Sequence, residues 1–186
     1  MSGPRSFCRL FALTSLFIML LCSAGCDSFK RRGIAPGDSA PELSLNSIDG
    51  HAFSLSQIQG KVALVNFWAT WCAPCVQELP SLERLQQRFK GRKFTVISVA
   101  IDDEHESISQ FRAQYGLTFP VLNDIQGSSK SAYKLTGVPE TVLLDTQGKI
   151  VLFIDPENSQ PVAKVNGPRE WDSEIMITQI EKMLAE

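Results

Sequence analysis

Two cysteines separated by two residues lie where an apolar run gives way to a helical pattern. Residues 61–68 (KVALVNFW) are almost continuously apolar, which predicts a strand buried on both faces. After Cys72 and Cys75, apolar residues recur at helical spacing up to Phe89, and the predicted helix ends at Gly91. This order of strand, dithiol and helix indicates an α/β fold with a reactive site at the end of a strand.

The remaining patterns place a hairpin before this unit and strands and helices after it. The hairpin is predicted for residues 43–45 and 52–55, which flank Asp49-Gly50. The later elements, in chain order, are a strand at Phe94–Ile101, a helix at 106–115, an extended piece at 119–122, a short helix at 129–135, an antiparallel hairpin at 141–144 and 150–154, and a helix at 173–184. A parallel β-α-β start with an antiparallel end predicts a central mixed β-sheet with helices on both faces.

The amino terminus has a different composition from the rest of the chain. Arg5 and Arg9 are the only charged residues among residues 1–25, and the 13 residues 10–22 are almost wholly apolar. A short basic region before such a run predicts an export signal, and the run is shorter than the ~20 residues that span a bilayer.

The residues after this run resemble the lipobox of bacterial lipoproteins, in which the signal is removed before a cysteine that then carries lipid. Small residues precede Cys26, although Ser23 stands where the lipobox prefers leucine. We therefore expect a lipoprotein-type signal peptide at residues 1–25, lipidation of Cys26 and a linker at residues 26–39. An uncleaved anchor and simple secretion stay open as alternatives.

Export would leave the mature protein with few thiols. Of the five cysteines, Cys8 and Cys22 leave with the signal and Cys26 carries lipid. Cys72 and Cys75 then remain in an oxidising compartment, where unpaired thiols are a liability.

Neither a metal site nor a structural disulfide accounts well for this pair of cysteines. A zinc site needs four ligands, and the two histidines, His51 and His105, stand alone. A disulfide across two residues closes a tiny loop and stabilises little. We predict redox chemistry with no metal and no cofactor.

The formal net charge of −2 does not favour a nucleic-acid partner.

The position of the two cysteines between a strand and a helix predicts different roles for them in the reaction. The amino end of a helix carries partial positive charge and free N–H groups, so it favours a thiolate over a thiol. Cys72 is therefore the expected exposed nucleophile, and Cys75 lies behind it. Pro74 suits an early helical turn because its missing N–H is not needed there.

Three strings resemble the thioredoxin superfamily in the right order and spacing. Residues 67–75 (FWATWCAPC) are similar to its active site, and Pro80 matches the proline within its active-site helix. Residues 137–141 (GVPET) resemble its cis-proline loop. The resemblance covers about residues 40–186 and implies a thioredoxin fold.

Further strings resemble one branch of that superfamily, the TlpA/ResA-like anchored thiol–disulfide oxidoreductases. They are the opening APEL at residues 40–43, VNFWATWC at 65–72, an inserted helix–strand segment at about 103–122, and GPREW at 167–171. The branch implies an N-terminal β-hairpin before the fold and a disulfide between Cys72 and Cys75, which act as nucleophile and resolving cysteine.

The resemblance also implies a substrate-binding loop with a cis peptide bond at Pro139. Val138 would pair through its backbone with an extended substrate, and Trp71 is expected to be an exposed aromatic beside the nucleophile. Glu140 would contact substrate or tune Cys72, with an ordinary surface position as the alternative. Trp171 is interpreted as core packing.

One departure from cytosolic thioredoxins concerns the proton. Those proteins carry a buried aspartate where this chain has Asn66, which cannot accept a proton. Glu78 lies one helical turn after Cys75, where ResA-like proteins use a glutamate as an acid. The resemblance thus implies that Glu78 manages the proton of Cys75, with a pKa raised by partial burial; the alternative is a solvent-facing carboxylate.

The resemblance implies a protein-disulfide reductase on the periplasmic side of a bacterial membrane. Its partners would be disulfide-containing envelope proteins, for example apocytochrome c or copper-site assembly proteins, and a membrane electron donor of thiol type. The chain itself would be held at the membrane by its N-terminal lipid or anchor. The direction of electron flow is not fixed by the sequence.

Two other functions use related folds. Thiol peroxidases place a threonine or serine three residues before the reactive cysteine, whereas Thr70 is two residues before Cys72. Copper-delivery proteins of the Sco type use C-x-x-x-C with a distant histidine, whereas this chain has C-x-x-C and no histidine after His105.

Overall fold

The computed structural model describes residues 34–101 and 104–186. The predicted signal peptide at residues 1–25 and the predicted lipidation site Cys26 lie outside these residues. Within them, no helix has both the length and the apolar content needed to cross a membrane.

Described residues before position 40, the predicted start of the domain, contact the rest of the fold. Gly37 donates a backbone hydrogen bond to the carbonyl of Ile150 (2.8 Å), and Ala40 donates to that of Gly148 (3.0 Å). The last residues of the predicted linker at 26–39 therefore lie against the domain.

The secondary structure follows the predicted order closely. The β-strands are β1 Ser44–Ser47, β2 Ala52–Ser54, β3 Val62–Trp68, β4 Phe94–Ile101, β5 Val121–Asp124, β6 Glu140–Leu144, β7 Phe153–Ile154, β8 Pro161–Val162 and β9 Lys164–Asn166. The α-helices are α1 Ala73–Arg88, α2 His105–Tyr115, α3 Ser128–Ala132 and α4 Glu174–Ala185, and a 3-10 turn covers Leu55–Ile58.

The main sheet of the described chain has the strand order β2-β1-β5-β4-β3-β6-β9. Strand β4 runs parallel to β3 and β5, whereas β6 runs antiparallel to β3 and β9 antiparallel to β6. The predicted mixed sheet, the hairpin β1–β2 and the inserted segment formed by α2 and β5 are confirmed. Strand β3 lies inside the sheet, so the dithiol that follows Trp68 emerges beside the centre of the fold.

Alternate residues of β3 supply the two halves of the core. Leu64 and Trp68 belong to the half that also contains α1, α2 and α4, and Trp68 meets Phe111 of α2 edge-on. Phe67 points to the other half, where its ring lies 4.7 Å from that of Tyr133 just after α3. Each large apolar side chain buried in this way contributes roughly 1.5–3 kcal/mol, which explains why β3 shows no polar face.

The predicted strand at 150–154 is wrong as the partner of β6. Leu144 and Ile150 form one antiparallel bridge, and the chain then leaves the main sheet. Its continuation, β7, pairs instead with β8 in a separate two-stranded sheet. The place beside β6 belongs to Lys164–Asn166, whose three residues are too few to show an alternating pattern.

The free edge of strand β7 is closed by a side chain from α4. Gln179 accepts a hydrogen bond from the backbone N–H of Ile154 and donates one to its carbonyl oxygen (3.0 Å). A second donated bond to the carbonyl of Ile175 holds the amide in place (3.1 Å).

Candidate active site

The dithiol lies at the amino end of α1 as a disulfide between Cys72 and Cys75. Cys72 is the N-cap residue, and its sulfur accepts a hydrogen bond from the backbone N–H of Cys75 (3.2 Å). Cys72 keeps a small exposed edge of 6%, whereas Cys75 has none. A partner can therefore reach only Cys72, where the free N–H groups and dipole of the helix stabilise a thiolate.

A groove lies next to the exposed edge of Cys72. The Val138–Pro139 peptide bond is cis, and the carbonyl oxygen of Val138 lies 3.5 Å from the sulfur of Cys72. Trp71 is 68% exposed. The groove has a volume of about 290 Å³ and is lined by Trp71, Ile101, Lys130, Leu135, Thr136, Gly137 and Val138. The structure thus brings Trp71 and Val138, both predicted to bind substrate, to the same side of the dithiol.

Glu78 occupies the buried side of the same helix. Only 2% of the residue is exposed, so it does not face solvent. Its Oε1 accepts a hydrogen bond from the side-chain amide of Asn66 on β3 (2.7 Å). Burial raises the pKa of Glu78 to about 7, against the opposing effect of hydrogen bonds from Trp171 and Asn66. Near neutral pH the carboxyl group can thus both accept and return a proton.

Sequence reasoning missed the two residues that hold the other carboxylate oxygen. Trp171 is fully buried, as expected of a packing residue, but its indole N–H also donates to Oε2 of Glu78 (2.9 Å). The backbone N–H of Arg169 donates to the same oxygen (3.1 Å). The string GPREW was the one signal that singled out this segment, and it gave no indication of the contact with Glu78.

Glu140 does not occupy the surface position that the sequence left open as an alternative. The residue is 1% exposed, so it is not on the surface and cannot touch a substrate directly. Its Oε1 accepts hydrogen bonds from the backbone N–H groups of Thr136 (2.8 Å) and Gly137 (3.2 Å), and Oε2 pairs with Lys164. Burial opposes ionisation, yet the hydrogen bonds from Lys164 and Thr136 hold the pKa of Glu140 below its usual value. Glu140 therefore braces the loop that ends in Val138.

Among residues 34–101 and 104–186, no three histidine, cysteine, aspartate or glutamate side chains lie close enough to hold a metal ion. Both predicted lone histidines lie at the start of other elements, His51 in the β1–β2 turn and His105 at the first turn of α2.

We expect the stability of the oxidised protein to fall as the pH rises from about 4.5 to 7. The pKa of Glu78 is about 7 in the folded protein and near its ordinary value of 4.5 when unfolded. Between these values the native state binds more protons than the unfolded state, so the free energy of unfolding decreases with pH. Relative to Glu78→Gln, the loss should be on the order of 3 kcal/mol, measured by urea unfolding. Parallel pH curves for the two proteins would contradict the raised pKa.

Comparisons with known proteins show that the chain is similar to thiol-disulfide oxidoreductases. A family model described as the AhpC/TSA family matches residues 36–153. The thiol-disulfide oxidoreductase ResA of Geobacillus kaustophilus is 31% identical over 151 residues, which cover 78% of this chain and 87% of ResA. The thioredoxin-like protein YneN of Bacillus subtilis is 39% identical over 143 residues, which cover 73% of this chain and 83% of YneN.

A solved structure gives the same result for the fold. A thiol:disulfide interchange protein of the thioredoxin family from Chlorobium tepidum superposes with a TM-score of 0.64 at 26% sequence identity. The match covers 82% of this chain and 99% of that one. The similarity in fold therefore extends over most of the chain.

Proposed function

Because the chain belongs to the AhpC/TSA family and is a relative of the ResA-like thiol-disulfide oxidoreductases, we propose that it reduces disulfide bonds of partner proteins outside the cytoplasm. The observation that carries the proposal is the position of Cys72, which caps α1 and whose sulfur lies 3.5 Å from the carbonyl oxygen of Val138, a residue that lines the groove. An extended segment in this groove would present its disulfide to Cys72, which is the cysteine of the Cys72–Cys75 pair that solvent can reach.

The reaction consists of two exchanges of sulfur bonds. The Cys72 thiolate attacks one sulfur of the partner disulfide, that bond breaks, and the departing partner thiolate takes up a proton. Cys75 then gives its proton to Glu78 and attacks the sulfur of Cys72, which releases the second partner thiolate. Glu78 then returns the Cys75 proton to the second partner thiolate or to solvent, so two electrons pass to the partner, whose sulfurs take up protons, and the protein is left as the Cys72–Cys75 disulfide.

Glu78 can serve as the proton acceptor of the second exchange. Cys75 is fully buried, and burial disfavours the thiolate that the second exchange requires. A reductant therefore needs a base near this sulfur at neutral pH, and Glu78, one helical turn away with a pKa of about 7, supplies one. The oxidised protein must then be reduced again by a donor of thiol type at the membrane.

We expect the Cys72–Cys75 pair to have the reduction potential of a reductant. Equilibration with defined ratios of reduced and oxidised glutathione, quenched by alkylation, measures it directly. A value more negative than about −200 mV fits a protein that reduces its partners. A value near −120 mV, typical of a strong oxidant, would reverse the proposed direction while leaving the exchange chemistry intact.

The partners and location are proposed from the sequence together with the relatives. The mature protein would begin at Cys26, after removal of residues 1–25, and carry lipid on that cysteine. Residues 26–39 would then connect the membrane surface to the domain at 40–186. Disulfide-containing proteins of the bacterial envelope, including apocytochrome c or copper-site assembly proteins, are the proposed substrates.

A further inference from the structure

Glu78 is held by one short segment that also reaches the substrate loop. We define the strap as residues 167–171, between β9 and α4. Its first residue, Gly167, donates a backbone hydrogen bond to the carbonyl of Pro139 (2.9 Å). Its last residue, Trp171, donates from the indole to Glu78. Five consecutive residues thus connect the loop beside the dithiol to the buried acid.

The strap is fixed by contacts that do not involve Glu78. Asp155 is 2% exposed and binds the guanidinium of Arg169 through two hydrogen bonds (2.7 and 2.8 Å). The backbone N–H of Trp171 donates to the hydroxyl of Ser81 on α1 (3.1 Å). The indole is therefore held in place independently of the carboxylate that it meets.

This arrangement suits an ionised carboxylate. Two N–H donors of the strap and the amide of Asn66 share the two oxygens of Glu78, and each stabilises the carboxylate more than the neutral acid. The donor of Arg169 is a backbone N–H, which a side-chain substitution does not remove. The indole N–H of Trp171 can be removed by substitution with phenylalanine, which keeps an aromatic ring.

We propose that Trp171 is a positioning residue of the exchange reaction, whose indole N–H orients the Glu78 carboxylate and keeps it available to accept the proton of Cys75. This inference rests on the proposed function, because it requires that Glu78 be that acceptor. It goes further by giving the strap a part in setting the pH at which the second exchange operates.

The charged groups around Glu78 are few and are unchanged by a substitution at Trp171. Arg169, Glu157 and Glu170 line the cleft beside it, and Asp155 lies behind Arg169. On α1, the thiol of Cys75 joins them once the disulfide is reduced, and the remaining neighbours on β3 and β6, Asn66 and Thr141, are neutral. A shift caused by Trp171→Phe therefore reports the lost hydrogen bond.

We expect Trp171→Phe to raise the pKa that governs the second exchange by about one unit and to slow it about five-fold at pH 7. The reduced protein is mixed with dithiobis-nitrobenzoate in a stopped-flow instrument. Cys72 releases one thionitrobenzoate, and the attack of Cys75 releases the second. The first phase should be unchanged at every pH, and only the second should shift.

Trp68→Phe is the matched control. Trp68 is equally buried on the same side of the sheet, and its indole nitrogen has no hydrogen-bond partner among the described residues. This variant loses a similar volume from the core, so the pH profile of its second phase should match that of the unmodified protein. Equal shifts in both variants would show a packing effect and overturn the proposal.

A measurement on the unmodified protein covers the case in which Trp171→Phe does not fold. With ¹⁵N-labelled tryptophan, the indole N–H signal of Trp171 should shift with an apparent pKa near 7 in the oxidised protein, and this titration should vanish in Glu78→Gln. An indole signal that does not titrate overturns the proposal. If Glu78→Gln leaves the second phase unchanged, the proposed function of Glu78 fails instead, whatever the indole shows.

Discussion

Replacing Cys75 with serine is expected to stop the reaction at a mixed disulfide between Cys72 and a partner. The first exchange needs only the Cys72 thiolate at the amino end of α1, which the substitution leaves in place. The second exchange needs a sulfur at position 75, because a serine hydroxyl cannot take part in a disulfide. Turnover of a peptide disulfide should fall by about a thousand-fold or more.

The trapped species identifies the partners. Cells that produce the full-length Cys75→Ser protein are quenched with acid and alkylated, and complexes that disappear on reduction are isolated and identified by mass spectrometry. Cys72→Ser is the control and should trap nothing. Envelope proteins that contain a disulfide are the expected captures; cytoplasmic proteins alone would contradict the proposed location, and no complex at all would contradict the exchange mechanism.

Replacing Glu78 with glutamine is expected to slow the second exchange by about a hundred-fold at pH 7. Glutamine keeps the size of the side chain and can still meet the donors on Trp171 and Arg169, but it cannot accept a proton. The effect should shrink as the pH is raised, since hydroxide and buffer bases can then ionise Cys75 directly. The rate is read from the second release of thionitrobenzoate across a range of pH values.

Glu83→Gln provides a matched control on the same helix. Glu83 is a carboxylate of α1 that binds Thr118 and Gln87, away from the dithiol. Its replacement should leave both phases of the reaction unchanged. If Glu78→Gln gives the same rates as Glu83→Gln at pH 7, another group accepts the proton of Cys75.

The parts of the fold that could be predicted are those in which a local pattern is long. Strand Phe94–Ile101 was predicted with its observed bounds, because eight apolar or small residues in succession are typical of a strand covered on both faces. Strand β9 could not be found in this way, since its three residues owe their position to pairing with β6 rather than to their own pattern.

In the candidate site too, residues close together in the sequence could be grouped from the sequence, whereas contacts between distant segments could not. Glu78 lies one helical turn after Cys75, so the spacing along α1 placed the two on nearly the same face, and the resemblance supplied the role of an acid. Arg169 and Trp171 follow Glu78 by about ninety residues, and only the folded chain brings them to its second oxygen. For Glu140, closeness in sequence was misleading. It follows Pro139 directly, yet its side chain is buried and binds Thr136 and Lys164.

The amide of Gln179 has a consequence for self-association. Strand β7 has only two residues, and the side chains of Ile154 and of the preceding Leu152 are exposed. With an unpaired edge, such a strand would be a template on which a second chain could add a strand. Gln179 occupies both backbone groups of Ile154 and so leaves that position without a free donor or acceptor. The side-chain amide of Gln179 thus disfavours the addition of a second chain at the point where the chain leaves the main sheet.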